Sequence, residues 1–412
     1  MQDSTRTRDV LTRKTEVAPE RQRARRTRHC LIVLGLCVAH SSSTAGWTGA
    51  DREILRSVHG DERGEVATSV VELDDGGFLV AGYEYDDWDS EWDALILRVA
   101  PDGRQLWRHS SDRPGDDYAW VVREAGQDRF VIVGTQSTDA GGTAGFMECI
   151  DGEGRQVWRR TYARSGSDVL WAAERAPDGG FFLAGQTERE GAGDLDFLVV
   201  RTDMQGHELW SRAFGSPAIE RAFGIDLSPD GGVLAAGLQG ESEETANILL
   251  LRVDAGGNEL WRRAITGERF DVAHDVQRIA DGGFVVSGYT SSYGPGDQDG
   301  FLMRLSADGR MLWMRTYGDT GEDRILHVAP MADGGFALVG YSKHGPGENW
   351  DLIVRRVGRN GELVWSHRSG GAHPVLGKDI VAGRDGSVIA VGSSQSEHPP
   401  YDDVIILRLS DG

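Results

Sequence analysis

The sequence predicts a seven-bladed β-propeller of four-stranded antiparallel blades, and three observations point to this fold class. Tryptophans recur every 51 or 52 residues, and a glycine series keeps the same period through seven units. Glycine supplies 56 of the 412 residues, which suits short strands joined by tight turns. The two ends of the repeat array complement each other, as a closed ring requires. The tryptophans are Trp107, Trp158, Trp210, Trp261, Trp313 and Trp365, and the glycines are Gly82, Gly134, Gly185, Gly237, Gly288, Gly340 and Gly392.

The N-terminal 45 residues read as a basic region followed by a signal peptide. Residues 30–39 form an apolar run of ten, which is too short to cross a bilayer and matches the core of a secretion signal. Small residues follow, so cleavage near Ala45 is expected. We therefore expect a secreted, periplasmic or cell-surface protein, with residues 46–412 as its propeller. Only Cys149 remains in that part, so no internal disulfide is expected there.

Each repeat reads as four short strands, named A to D here. Strand A is semi-polar, strand B is apolar, strand C follows a variable polar loop, and strand D carries the tryptophan. No stretch keeps a helical period. In one unit the strands fall at residues 273–279, 284–288, 301–305 and 311–315, with glycine turns at 281–283 and 308–309.

The ends of the array predict how the ring closes. The last repeat stops at Gly412, before its tryptophan would occur, whereas Leu55 lies 52 residues before Trp107. Residues 53–57 therefore read as a spare strand D, which can complete the blade formed by residues 375–411. Such an overlap joins the first blade to the last and removes an open sheet edge.

The unit Asp-Gly-Gly-Phe-x-x-x-Gly, then Asp-x-x-x-x-Arg, then Asp-Gly-x-x-x-Trp, resembles the repeat of secreted bacterial propeller proteins of largely unknown function. It is more distantly similar to the blades of quinoprotein propellers, which have a Gly-x-x-x-Trp signature. The resemblance implies a shared blade design. It does not imply the quinone cofactor, because that family builds its site from an adjacent cysteine pair and a larger ring.

Side chains present in nearly every blade are interpreted as scaffold. The tryptophans should pack one blade against the next, and the strand C arginines and aspartates should fix turns and loops. Acidic residues also open strand A in six blades. We expect them to form a solvated face with loop caps, and a Ca²⁺ or cationic-ligand site is the alternative. They are Glu65, Asp117, Asp168, Glu220, Asp271 and Asp323.

Departures from the sevenfold pattern mark candidate site residues. Four positions after the strand A acid, blades five to seven carry Asp275, His327 and Asp379 at one level of the channel wall. His274 and Lys378 lie one position earlier in their blades. A histidine between two carboxylates is typical of a general base or a metal site, and a hydrated channel wall is the alternative.

Aromatic residues form a second set of departures. Trp88 and Trp92, with Tyr83 and Tyr85, are expected in the first B–C loop, where they could stack on a carbohydrate or contact a protein. Packing of the loop tip against itself is the alternative. Three further aromatics in strand A are expected to pack between blades: Trp120, Trp171 and Phe223.

Composition and motifs narrow the function classes. The net charge of −21 argues against nucleic acid or an anionic membrane as the partner. No nucleotide-binding, nucleophile-elbow or zinc motif is present. The leading hypothesis is a non-catalytic binding or scaffold protein that presents its loop face to a glycan, a cation or a protein, as a monomer without a membrane span. The alternative is a hydrolase or lyase that uses Asp275, His327 and Asp379. No cofactor is predicted except possible Ca²⁺, and a quinoprotein oxidoreductase is a third class.

Overall fold

The computed structural model describes residues 52–86, 91–111, 113–164, 166–188, 194–242, 244–343, 349–395 and 399–411. Over these residues the chain forms 28 β-strands in seven sheets of four antiparallel strands, which confirms the predicted seven-bladed β-propeller. The predicted leader, residues 1–45, its boundary at residue 46 and the candidate ligand residue Trp88 lie outside the described residues. The described part of the chain contains no long apolar helix that could cross a bilayer.

Strand β1 (Glu53–His59) comes first, and strands A to D of each blade then follow in chain order. Blade one holds β2 (Gly64–Glu72), β3 (Phe78–Tyr85), β4 (Trp92–Val99) and β5 (Gln105–Ser110). Blade two holds β6 (Asp117–Glu124), β7 (Arg129–Ser137), β8 (Thr143–Asp151) and β9 (Gln156–Tyr162). Blade three holds β10 (Asp168–Arg175), β11 (Phe181–Thr187), β12 (Asp196–Thr202) and β13 (Glu208–Phe214).

Blade four holds β14 (Ile219–Leu227), β15 (Val233–Gly240), β16 (Asn247–Val253) and β17 (Glu259–Ile265). Blade five holds β18 (Asp271–Arg278), β19 (Phe284–Thr290), β20 (Asp299–Leu305) and β21 (Met311–Tyr317). Blade six holds β22 (Glu322–Pro330), β23 (Phe336–Lys343), β24 (Asp351–Val357) and β25 (Leu363–Ser369). Blade seven holds β26 (Val375–Ala382), β27 (Val388–Ser394) and β28 (Asp403–Leu409).

The N-terminal strand closes the ring as the repeat ends predicted. Strand β1 pairs antiparallel with β28, so the last blade has the order β1-β28-β27-β26. Leu55 of this strand lies where other blades have their tryptophan, against Gly103 in the C–D turn of blade one. The seventh blade is therefore built from both ends of the repeat array, and β1 covers the edge of β28.

The tryptophans join neighbouring blades in a repeated contact. The ring of Trp107 lies against Gly154, in the C–D turn of the next blade, and Trp158 lies against Gly206 in the same way. These glycines have φ angles of 79° and 75°, a region that favours glycine over any residue with a Cβ. The ring and the turn therefore depend on each other, and this contact recurs around the propeller.

The strand C arginines fix the A–B turns within the blades. Arg201 pairs with Asp178 at 2.6 Å, and its guanidinium also donates to the Phe181 carbonyl at 3.3 Å. Blade two departs from this pattern, because the buried Cys149 replaces the arginine. Strands B and C are almost wholly buried, and their apolar side chains form cores shared by adjacent blades.

Candidate functional site

Strand A lines the central channel and carries a β-bulge at the same point in every blade. In blade five the register shifts between Ala273 and Asp275, so His274 is an extra residue with no opposite partner in β19. A bulge changes the direction in which its extra side chain points. The seven extra residues all line one cavity of about 240 Å³ at the centre of the ring: Thr68, Trp120, Trp171, Phe223, His274, Leu326 and Lys378.

Blades two to four give this cavity an aromatic wall. Trp120, Trp171 and Phe223 occupy the bulge position in consecutive blades, and the rings of the last two lie 5.0 Å apart. The expected packing between blades is present, because Trp120 also lies 5.8 Å from the Tyr83 ring of blade one. The bulge in addition turns the three side chains into the channel, which was not expected, and each stays partly exposed there.

His274 extends the aromatic wall into blade five. Its ring is stacked between Phe223 at 5.1 Å and Tyr289 at 5.3 Å. Burial, together with the positive charges of His327, Arg324 and Lys378, lowers the pKa of His274 to about 3. His274 is therefore a neutral ring at physiological pH, and we describe it as part of the aromatic wall.

The structure brings Asp275, His327 and Asp379 together at one side of the cavity. His327 Nδ1 lies 3.2 Å from Asp379 Oδ1 and 3.9 Å from Asp275 Oδ2. Both carboxylates are buried, whereas about a third of the His327 side chain is exposed to the cavity (33%). Burial alone would lower the pKa of His327, but the nearby Asp379 and Asp275 carboxylates raise it above its ordinary value.

Both carboxylates also bind the backbone of the following blade. Asp275 Oδ2 accepts a hydrogen bond from Val328 N at 3.1 Å, and Asp379 Oδ2 accepts one from Val70 N at 3.0 Å. Ser69 does the same for Val122 N at 3.3 Å. Each of these N–H groups lies just beyond the bulge of its own strand. The two aspartates therefore have a structural role as well as their contact with His327.

Further along strand A, beyond the bulge, lies a group of charged side chains that the sequence analysis did not identify. Arg123, Glu174 and Asp226 sit three positions beyond the bulge in blades two to four, and Arg123 Nε lies 3.9 Å from Glu174 Oε2. Burial, with repulsion from Asp226, raises the pKa of Glu174 to about 7. Burial also raises the pKa of Asp226 to about 6. The sequence could have indicated this group, because three consecutive blades carry a charged residue at the same position.

The remaining candidate aromatics pack against each other beside the cavity. Trp92 stacks on Tyr85 at 4.6 Å and lies 5.3 Å from Tyr83, and of these three only Tyr83 lines the cavity. Tyr83 and Tyr85 belong to strand β3 rather than to a loop. Trp92 is thus half-buried at the start of β4, and its contact with a ligand stays a prediction.

The wall opposite the aromatic residues is polar and carries both signs of charge. Lys378 contributes positive charge to this wall, and Asp275 contributes negative charge beside His327, whereas Arg123 lines the cavity from blade two. Lys378 Nζ also lies 5.6 Å from the centre of the Tyr341 ring. Within the described ranges no three histidine, cysteine, aspartate or glutamate side chains converge closely enough to hold a metal ion. The cavity can therefore offer one ligand an apolar face and several hydrogen-bonding groups.

Comparisons with known proteins support the fold and leave the family open. No family model matches the chain. The regulatory protein FlaEY of Caulobacter vibrioides is 24% identical over 247 residues, which are 53% of this chain and 25% of that protein. The match thus spans about a quarter of that relative's length.

The solved structure of a polysaccharide lyase shows the same fold at low sequence identity. The polysaccharide lyase Uly1 aligns with a TM-score of 0.53 and 8% identity, covering 87% of this chain and 99% of that one. Chaetomium thermophilum Sqt1 aligns with a TM-score of 0.49 and 15% identity, covering 88% of this chain and 98% of that one. At 8% identity the likeness to Uly1 concerns the fold only.

Proposed function

We propose that this chain is a secreted, non-catalytic propeller whose central cavity binds a single sugar ring of a glycan. The observation that carries the proposal is the division of the cavity into two walls. Trp120, Trp171 and Phe223 form one side, and the polar groups of blades five to seven form the other. Sugar rings combine an apolar face with a rim of hydroxyl groups, so a cavity of this kind matches both surfaces at once.

The size and charge of the cavity support this ligand class. A volume of about 240 Å³ lies just below the roughly 300–1,000 Å³ that is usual for pockets holding drug-sized ligands, so it suits one ring. Positive and negative side chains in the lining partly offset each other. This balance favours a neutral, hydroxyl-rich ligand over a strongly charged one.

The arrangement of the aspartates supports binding rather than catalysis. Burial would raise the pKa of Asp379, but the charge and hydrogen bond of His327 hold it below its ordinary value. A general acid needs a raised pKa, so Asp379 is poorly suited to protonate a leaving group. Its second oxygen is taken by the Val70 N–H. We assign Asp379 to hydrogen bonding and support of the channel wall.

Binding of a saccharide panel by the purified chain, measured by isothermal titration calorimetry, tests the proposal. Trp171→Ala should weaken the best ligand by about tenfold or more, the size expected for loss of a central aromatic contact. Trp350→Ala is the matched control, because Trp350 packs at 5.0 Å on Tyr341 and does not line the cavity. Equal affinity in wild type and Trp171→Ala would exclude the cavity as the binding site.

Mass spectrometry of the same mixtures separates binding from catalysis. We expect the bound saccharide to be recovered unchanged after long incubation. Cleaved or unsaturated products that disappear in His327→Ala would instead support the hydrolase or lyase alternative, with His327 as its base.

A further inference from the structure

The acids that open strand A are buried, so the expectation that they form a solvated face is wrong. All six side chains are at most 1% exposed. They lie in the seams between blades, where Arg108 pairs with Glu65 at 2.8 Å and Arg355 pairs with Asp323 at 2.7 Å. Because these carboxylates are held in the seams, they do not extend across the end of the channel that faces the B–C loops.

The central cavity stops partway along the channel. Strand A runs from the B–C loops to the A–B turns, and most lining residues lie at the bulge or at the position after it. Three positions beyond the bulge, the structure describes the strand A residue of all seven blades, and only Arg123 lines the cavity. The lining therefore ends at the level of Arg123. The other six residues at this level are Val71, Glu174, Asp226, Gln277, Ala329 and Val381.

Arg123 forms the floor of the cavity. Its Nη1 donates to the Val122 carbonyl at 2.9 Å, and its Nε lies 3.9 Å from Glu174 Oε2 in the next blade. Its positive charge also acts on His327 of blade six and Asp379 of blade seven, so the guanidinium faces the far side of the channel. A sugar chain that passed through the ring would have to displace this charged group.

Ion pairs join neighbouring blades further along the channel, at the A–B turns. Arg384 lies in the A–B turn of blade seven and pairs with Asp74 of blade one. Its Nη2 also lies 3.3 Å from Glu124 Oε1, at the end of strand A in blade two. Arg384 N donates to Glu72 Oε2 at 2.7 Å. One residue thus links three blades on this side of Arg123, and these paired charges add to the obstruction that Arg123 forms.

The number of bonds that a sugar ring makes to its chain decides whether it can fill such a cavity. A ring inside a chain carries two glycosidic bonds, and both parts of the chain must leave the binding site. A terminal ring carries one such bond. The cavity of about 240 Å³ takes one ring and has its floor at Arg123, so the rest of a glycan can leave only towards the B–C loops. A terminal ring meets this condition.

We propose that the central cavity recognises the terminal residue of a glycan and that the rest of the glycan leaves towards the B–C loops. This inference rests on the proposed function and adds the class of sugar residue that the site accepts. The end of a main chain and the tip of a branch share this chemistry, because each is a ring with one glycosidic bond. A terminal ring also keeps one more free hydroxyl group than an internal ring, and the polar groups of blades five to seven can bind it.

Titration calorimetry of the full chain with matched linear and cyclic oligosaccharides tests this inference. The pair is made from the sugar and linkage that the saccharide panel identifies. For a glucan the pair is maltohexaose and α-cyclodextrin, of which only the linear form has terminal residues. We expect the linear form to bind and the cyclic form to show no measurable binding. Linear oligosaccharides of increasing length should each bind one protein, because the two ends of a chain differ chemically.

Two variants separate this inference from the proposed function. Trp171→Ala should weaken binding of the linear form and leave its one-to-one stoichiometry unchanged. Arg384→Ala is the control and should bind like wild type, because Arg384 does not line the cavity.

Each outcome points to one of the two proposals. Binding of the cyclic form as tightly as the linear form, or several proteins on each long chain, would overturn the inference about terminal residues. The effect of Trp171→Ala would in that case still support the cavity as the glycan site. Absence of binding by every saccharide would overturn the proposed function itself, and this inference with it.

Discussion

His327 Nδ1 lies 3.2 Å from Asp379 Oδ1, across the boundary between blades six and seven. The other oxygen of Asp379 accepts a hydrogen bond from Val70 N in blade one. One carboxylate therefore links the cavity-lining histidine to the blade boundary where the ring closes. The charge of His327 in the cavity is therefore coupled to the stability of the boundary between blades seven and one.

The first prediction concerns pH and the charge of His327. A histidine whose pKa is raised by folding adds stability below its unfolded pKa of about 6.5, and that stability is lost as pH rises through the folded value. Asp379, with its lowered pKa, adds stability above about pH 4 that is lost on acidification through its folded value. Wild type should therefore exceed His327→Gln in stability most strongly between about pH 4 and 6.5, as measured by denaturant unfolding.

The exposed His373 supplies the control for this prediction, since the stability difference between wild type and His373→Gln should not depend on pH in this way. A constant difference between wild type and His327→Gln from pH 5 to 9 would mean that the ion pair with Asp379 does not contribute.

The second prediction isolates the structural role of Asp379. Asp379→Ala leaves the buried Val70 N–H without its acceptor and should lower the free energy of unfolding by ~1–3 kcal/mol. Asp379→Ser should recover part of this loss, because Ser69 makes the equivalent bond to Val122 N in the neighbouring blade. Guanidinium unfolding of the three chains at one pH measures both changes. Equal losses in the alanine and serine variants would contradict the capping role.

For Glu174 we predict a substitution that stabilises the folded chain, in contrast to the substitutions of Asp379. Burial raises its pKa to about 7, so the folded chain holds a proton that the unfolded chain releases above about pH 4.3. Stability therefore falls as pH rises between these values. Glu174→Gln should be more stable than wild type by ~1–3 kcal/mol at pH 8.5, and this gain should vanish near pH 4.5. The exposed Glu153→Gln variant should show no gain at either pH when unfolding is followed in the same way.

The sequence predicted the ring because its signal lies in residues that every blade shares. The tryptophan period predicted that each blade packs against the next, and the position of Leu55 predicted the pairing of β1 with β28. It did not reveal the bulge, because Thr68, Phe223 and Lys378 occupy the same backbone position without sharing any chemistry. Trp171 was therefore assigned to interblade packing alone, whereas it both contacts Phe223 of the next blade and lines the cavity.

The level of Asp275, His327 and Asp379 could be predicted, but their partners could not. Counting from the strand A acid places the three side chains at equivalent positions, and the structure adds the 3.2 Å contact between His327 and Asp379. The bond from Val70 to Asp379 joins residues 309 positions apart, and it depends on how two bulged strands meet. Spacing along one strand carries no information about such a contact.

The contact between Gly154 and the Trp107 ring gives a prediction, and Gly231, which faces no ring, is its control. Gly154 and Gly231 have similar φ angles of 79° and 83°, but a Cβ on Gly154 would lie 2.9 Å from the Trp107 ring, whereas a Cβ on Gly231 would meet nothing within 4 Å. Gly231→Ala should therefore cost only the left-handed backbone penalty of ~1–2 kcal/mol. Gly154→Ala should cost more, because the Trp107 ring must shift as well. Similar losses in thermal unfolding would show that the ring adapts freely.

The last prediction tests closure of the ring by strand β1. A chain that starts at residue 52 keeps β1, whereas a chain that starts at residue 61 leaves β28 as an open edge. The shorter chain should lose several kcal/mol of stability and aggregate with increasing concentration, because an exposed strand edge is a template for pairing between molecules. Light scattering and thermal unfolding of the two chains measure this difference. A synthetic peptide of residues 51–60 should restore the monomer by adding the missing strand, and failure of the peptide to bind the shorter chain would contradict this account.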